Sequence, residues 1–142
     1  MNFKNPVRND KFFCETRTPP LLGLDMYAST TKRRLKSSID FKSGKADEQI
    51  HDWRKHPNLH GCKEELYREN GGTKYFNCTT VQLTAGNIDT LERVITNGKL
   101  PETCGCFFGA SDGSEREDDL EFIAKGRAAL ANGLSVYHHS WW

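Results

Sequence analysis

The sequence predicts an α+β fold: a single mixed or antiparallel sheet of four to five strands with three helices packed on it. Three observations carry this. Short stretches of alternating apolar residues are interleaved with stretches whose apolar residues recur at helical spacing. Asn-Gly and Asn-Gly-Gly stop signals follow the helical stretches. No internal repeat or heptad pattern competes with a one-sheet arrangement. The 142 residues suit one domain, large enough to hold a core without disulfide or metal staples.

The elements follow in order. Residues 1–21 are polar, with Pro6, Pro19 and Pro20, and are expected to form a partly disordered arm before a domain at 22–142. Residues 21–28 form the first strand, with Leu22, Leu24, Met26 and Ala28 on one face and Asp25 and Tyr27 on the other. Residues 29–48 lack a clean period and are expected to be a basic loop, with Lys32, Arg33, Arg34 and Lys36 as its charge run. Residues 48–55 are a candidate strand. Pro57 then suits a first helical turn, where its missing N–H costs nothing. Leu59, Cys62, Leu66 and Tyr67 continue that helix to Asn70-Gly71-Gly72.

Residues 75–83 are expected as a strand. Thr84 is placed to cap the next helix, with Ile88, Leu91, Val94 and Ile95 inward. A short strand is expected at 104–110. Ser114-Glu115-Arg116-Glu117 has the capping-box pattern, and Leu120, Ile123, Ala124, Ala128 and Leu130 are the expected inner face of the third helix. A last strand is expected at 134–138, followed by Trp141-Trp142.

Composition excludes several function classes. Twenty Lys and Arg against 19 Asp and Glu leave a net charge of +1. That balance argues against a strongly basic nucleic-acid binder and an acidic DNA mimic. Mean hydropathy is -0.71, so the surface is very polar. No apolar run approaches the roughly 20 residues that span a bilayer, and no membrane partner is expected. Residues 1–10 lack the apolar centre of an export signal. Cys14, Cys62, Cys78, Cys104 and Cys106 make an odd number of cysteines, which reads as reduced thiols in the cytoplasm.

The segment Trp53-Arg54-Lys55-His56-Pro57-Asn58-Leu59-His60 is the main candidate for a site. Two cations precede a helix whose first amides and dipole attract anions. Arg54 offers a planar fork for phosphate or carboxylate, and Lys55 a mobile point charge. His60 lies one turn on, and Trp53 has a face on which a base or sugar could stack. The alternative is structural: Trp53 in the core, Arg54 and Lys55 paired with acids, His60 capped. Asp25 and Tyr27 share one strand face and could hydrogen-bond a polar ligand, with Ser140 adding a hydroxyl. A Ser140–His60–Asp25 triad is formally open, but Ser140 lies in no G-x-S-x-G elbow. His60, Cys62, Cys104 and Cys106 are zinc-type ligands at poor spacing, since His60 and Cys62 point roughly 200° apart on a helix. No metal and no cofactor is expected.

Four blocks resemble the "GLDMY" family of small phage and bacterial proteins. They are Gly23-Leu24-Asp25-Met26-Tyr27, then Trp53-Arg54-Lys55 with Asn58-Leu59-His60, then Leu100-Pro101-Glu102-Thr103 leading to Phe107-Phe108-Gly109 with Asp112, and finally Val136-Tyr137 with Ser140-Trp141. The blocks cover roughly residues 22–142, so residues 1–21 look like an extension. A phosphoglycerate kinase label sometimes attached to such proteins does not fit a chain this short without a nucleotide-binding glycine loop. The resemblance implies a small phage-type accessory protein in a host cytoplasm. Together with the cationic segment, it leads us to expect a binder of an anionic small molecule, a nucleotide or phosphate, in a counter-defence role. The alternatives are an interaction module that inhibits a host protein, and a small acid/base or metal-dependent phosphoesterase in which His60 would move the proton.

Overall fold

The computed structural model describes residues 23–103 and 111–142. The expected arm, the expected strand at 104–110, Leu22, and the thiols Cys14, Cys104 and Cys106 lie outside the described residues.

The described chain forms seven elements. These are β1 (Asp25–Thr31), β2 (Glu48–Arg54), α1 (Pro57–Glu69), β3 (Thr80–Leu83), α2 (Ala85–Thr96), α3 (Arg116–Ala131) and β4 (Ser135–Trp141). The four strands make one antiparallel sheet in the order β2-β1-β4-β3. Three helices complete an α+β arrangement. None of them is long and apolar enough to cross a membrane.

Strand alternation divides the sheet into two faces. Met26 and Ala28 of β1 pair with Trp53 and His51 of β2 on one side, and with Ser140 and His138 of β4 on the other. This inner face carries the apolar core, with Phe122 and Ile123 from α3 and Ile88, Leu91 and Ile95 from α2. The Trp53 and Phe122 rings meet edge to face at 4.9 Å, a geometry that adds about 0.5–1.5 kcal/mol beyond area burial.

Several expected boundaries shift for physical reasons. β1 runs on to Thr31 because both its neighbours continue to pair with it there, so the loop is 32–47 and not 29–48. β3 begins only at Thr80. Residues 75–79 instead wrap the chain end, where Asn77 Nδ2 donates to the Trp142 carbonyl at 2.6 Å. β4 extends to Trp141 as the partner of Asp25. Thr84 caps α2 as expected, in a reciprocal box with Asn87. The box expected at 114–117 does not form: Glu115 is the cap residue without a side-chain cap bond, and Ser114 Oγ donates to Asp112 Oδ1 at 2.6 Å. The buried face of α3 is Asp119, Phe122, Ile123, Gly126 and Ala129, rotated from the expected one. Gly126 permits that rotation, since a Cβ there would sit 3.3 Å from Ile88 Cδ1.

The basic loop is fastened by one carboxylate. Asp47 Oδ2 accepts from Arg33 Nη2 at 2.8 Å, from the Gly44 N–H at 2.7 Å and from the Tyr137 hydroxyl at 2.7 Å. Burial alone would raise the pKa of this group. The hydrogen bonds from Arg33, Thr31, Gly44 and Tyr137 outweigh that and hold it below the usual carboxylate range. Arg33 also donates to the Lys42 carbonyl at 3.1 Å, which fixes the loop over the outer face.

A group with a depressed folded value stabilises the fold above its unfolded value and loses that contribution as pH falls. Asp47→Ala is therefore expected to cost about 1–3 kcal/mol near neutral pH. The deficit should shrink below about pH 4, as read by urea unfolding at several pH values.

Candidate functional site

The residues singled out from the sequence do not converge. Asp25, Tyr27 and Arg54 lie on the outer face, while Trp53, His60 and Ser140 lie on the inner one. Asp25 Oδ1 accepts from Arg54 Nη1 at 3.0 Å across β1 and β2. Lys55 takes a left-handed backbone, φ 55°, and its N–H donates to the Leu24 carbonyl at 2.8 Å. Trp53 is a core residue whose indole N–H donates to Asp119 Oδ1 at 2.9 Å. His60 is fully buried and meets Ser140 Oγ at 3.0 Å. Thus two members of the formal triad touch, but Asp25 is on the opposite face.

The N-terminus of α1 is already engaged by the protein. Pro57 has no N–H, and the Asn58 N–H donates to Ser111 Oγ at 3.1 Å. Buried Asp119 and half-buried Glu115 stand beside His56. Two carboxylates repel an anion more strongly than one helix end attracts it. The separation of Arg54 from His60 by the sheet has the same consequence. An anion site built from Arg54, Lys55 and His60 together is not assembled.

The outer face holds the larger cavity, a groove of about 880 Å³ between the 40–43 and 74–79 segments. Tyr27 and His139 stack at 5.1 Å in the sheet below it. Burial, then Lys63, lowers the His139 imidazole below its ordinary value, so it is neutral at pH 7. Burial and nearby Asp25 and Asp52 raise the Tyr27 phenol, which keeps its proton. Lys42 and Lys74 bring cations to the groove, and Tyr75 and Trp141 line it while 51% and 59% exposed.

Two of the three described non-glycine residues with left-handed backbone, Asp40 (φ 57°) and Cys78 (φ 61°), also line this groove. Such conformations cost of order 1–3 kcal/mol each and persist where the surroundings impose them. Here the Asp40 carboxylate accepts from the buried Tyr67 hydroxyl at 2.9 Å, and the Cys78 N–H donates to the Ser140 carbonyl at 2.8 Å. The walls are thus preset. The groove residues at 40–43 and 74–79 are not marked in the sequence because they sit in loops without a period. The dense run Lys74-Tyr75-Phe76-Asn77-Cys78, aromatic and cationic together, is the signal that could have marked them.

The polar residues of α1 point the other way. Lys63 is buried with its ammonium 3.9 Å from the Trp53 ring centre and no hydrogen-bond partner among the described residues. Burial pulls it down to about 7, against a partial offset from Asp119. His138 is fully buried and held well below its ordinary value, first by burial and then by Lys63. Cys62 is half-buried and points away from His60, with burial pushing its thiol up to about 11. Among the described residues one cluster has metal-ligand types: His51, Asp118 and Glu121, whose ligand atoms lie within 4.8 Å of one another. Lys125 Nζ already lies 3.6 Å from Glu121 and 3.3 Å from His51, so a cation of the chain itself stands at this cluster.

The chain matches no protein-family model, no curated protein and no solved structure.

Because the unfolded chain binds the Lys63 proton up to the ordinary value and the folded chain releases it near 7, the Lys63 contribution to stability rises with pH between those values. Lys63→Met is expected to raise the melting temperature at neutral pH and to flatten the pH dependence between about 7 and 10.5. Paired thermal melts of wild type and variant across that window check it.

Proposed function

We propose that the chain binds an anionic small molecule bearing a planar ring, of the nucleotide class, in the outer-face groove. The single observation behind this is the meeting of Lys42 and Lys74 with exposed Tyr75 and Trp141 in one preset groove. The lysines supply point charges for phosphate oxygens, and the aromatic faces supply stacking surface. Stacking on one such side chain contributes about 1–3 kcal/mol. The neutral Tyr27–His139 pair offers a hydroxyl and a ring nitrogen to ligand polar groups without adding repulsive charge. Binding of this kind would suit a sequestering, counter-defence role.

Calorimetric titration with a panel of nucleoside mono-, di- and triphosphates, with inorganic phosphate as the control, tests the proposal. Binding of at least one nucleotide is expected. Lys74→Glu and Trp141→Ala should each weaken it about tenfold or more, and Arg54→Ala should leave it unchanged. Silence across the panel, or a loss confined to Arg54→Ala, would contradict the groove as the site.

A further inference from the structure

We propose that Ser111, His56 and Asp119 form a hydrolytic site for small carboxylic esters, in a second pocket between the start of α1 and the turn into α3. The pocket has a volume of about 270 Å³, with Ile95 and Leu100 as apolar lining and Arg116 as a cationic one. It is distinct from the nucleotide groove, which lies on the other face of the sheet.

The proton order along the chain of hydrogen bonds follows from the partners. Asp119 is buried, and as a carboxylate it only accepts: Oδ1 from the Trp53 indole and Oδ2 from His56 Nε2 at 2.8 Å. That bond places a proton on Nε2, so in the neutral ring Nδ1 presents a lone pair. Ser111 Oγ lies 2.7 Å from that lone pair and donates to it. His56 is 3% exposed and locked in this pose, while Ser111 is half-exposed at the pocket. This is the arrangement of a nucleophile, a base and a group that fixes the base's tautomer, with the two ring nitrogens exchanged.

The surroundings suit charge development. The Asn58 N–H lies 3.1 Å from Ser111 Oγ, and its own side chain is held by the Thr103 N–H at 3.0 Å. The Asn58 N–H holds Oγ in place beside His56. Glu115 Oε1 is 3.6 Å from His56 Nδ1, close enough to stabilise an imidazolium. Gly113 takes the left-handed backbone, φ 89°, in the turn before α3.

The reaction balances with water as the only co-reactant. Ser111 Oγ attacks the ester carbonyl carbon while its proton passes to His56 Nδ1. The tetrahedral oxyanion collapses, the carbon–oxygen bond to the alcohol breaks, and His56 Nδ1 returns the proton to the leaving alkoxide. Water then attacks the acyl-serine, giving its proton to His56 Nδ1. The Ser111 ester bond breaks, Oγ recovers that proton, and the carboxylic acid departs.

A fluorophosphonate probe reports the same step, since Oγ displaces fluoride from phosphorus and stays phosphonylated. Full-length protein treated with the probe should carry it on Ser111 in peptide mass spectrometry, and should hydrolyse p-nitrophenyl acetate. Ser111→Ala should abolish both. Asp119→Asn, at the positioning residue, should slow labelling by about a hundredfold or more and displace the pH profile of labelling, which a purely structural role would not move. The wild-type result stands even if a variant fails to fold. Folded wild-type protein left unlabelled at Ser111, or ester hydrolysis persisting in folded Ser111→Ala, would overturn the proposal.

Discussion

The buried carboxylate of Asp119 is the constraint around which the rest of the structure is arranged. It sits in the first turn of α3 and accepts from Trp53 on β2 and from His56 at the mouth of α1. A carboxylate in an apolar interior is costly unless its lone pairs are satisfied. Two N–H donors from separate elements satisfy it, so burying Asp119 obliges α3, β2 and the start of α1 to meet in one geometry. That demand rotates α3 so that Phe122 packs on Trp53, and it aligns the α1 stripe that carries His60, Lys63 and Glu64 into the interior.

The interior is accordingly polar as well as apolar. Glu64 pairs with Arg68 at 3.0 Å, His60 with Ser140, and Lys63 rests against the Trp53 and Phe122 rings. His60 and Lys63 restrict how α1 can slide on the sheet. The sheet order adds a second restriction. Its two central strands, β1 and β4, come from opposite ends of the described chain, so the inner face is complete only when the last strand is in place. Contacts so distant in sequence slow folding, and the His60–Ser140 pair between α1 and β4 helps fix the register once it is reached.

Much of the fold was legible because its signals are local. Alternation marked β1, Pro57 marked the start of α1, and Thr84 with Ile88, Leu91 and Ile95 marked α2 with its cap. What escaped depends on partners remote in the chain. The inner face of α3 was misread because Asp119 looks like a surface acid until Trp53 and His56 are set beside it. His60 and Arg54 looked like neighbours because they are six residues apart, yet the edge of the sheet separates them. The loop between β1 and β2 looked unstructured because its fastening residue, Asp47, meets Tyr137 from the far end of the chain. Asp25 and Tyr27 were correctly read as sharing a face, but the walls of the groove that face supports come from loops.

The two faces of the sheet therefore carry different chemistry: a preset cationic and aromatic groove outside, and a hydrogen-bonded serine–histidine–aspartate chain at the edge of the core. The second depends directly on Asp119, through the tautomer it imposes on His56. Nitrogen-15 NMR of the histidine side chains at neutral pH reads that tautomer without reference to any activity. His56 is expected to carry its proton on Nε2 with Nδ1 unprotonated, and Asp119→Asn to disturb this state. A His56 protonated on Nδ1 instead would contradict that expectation.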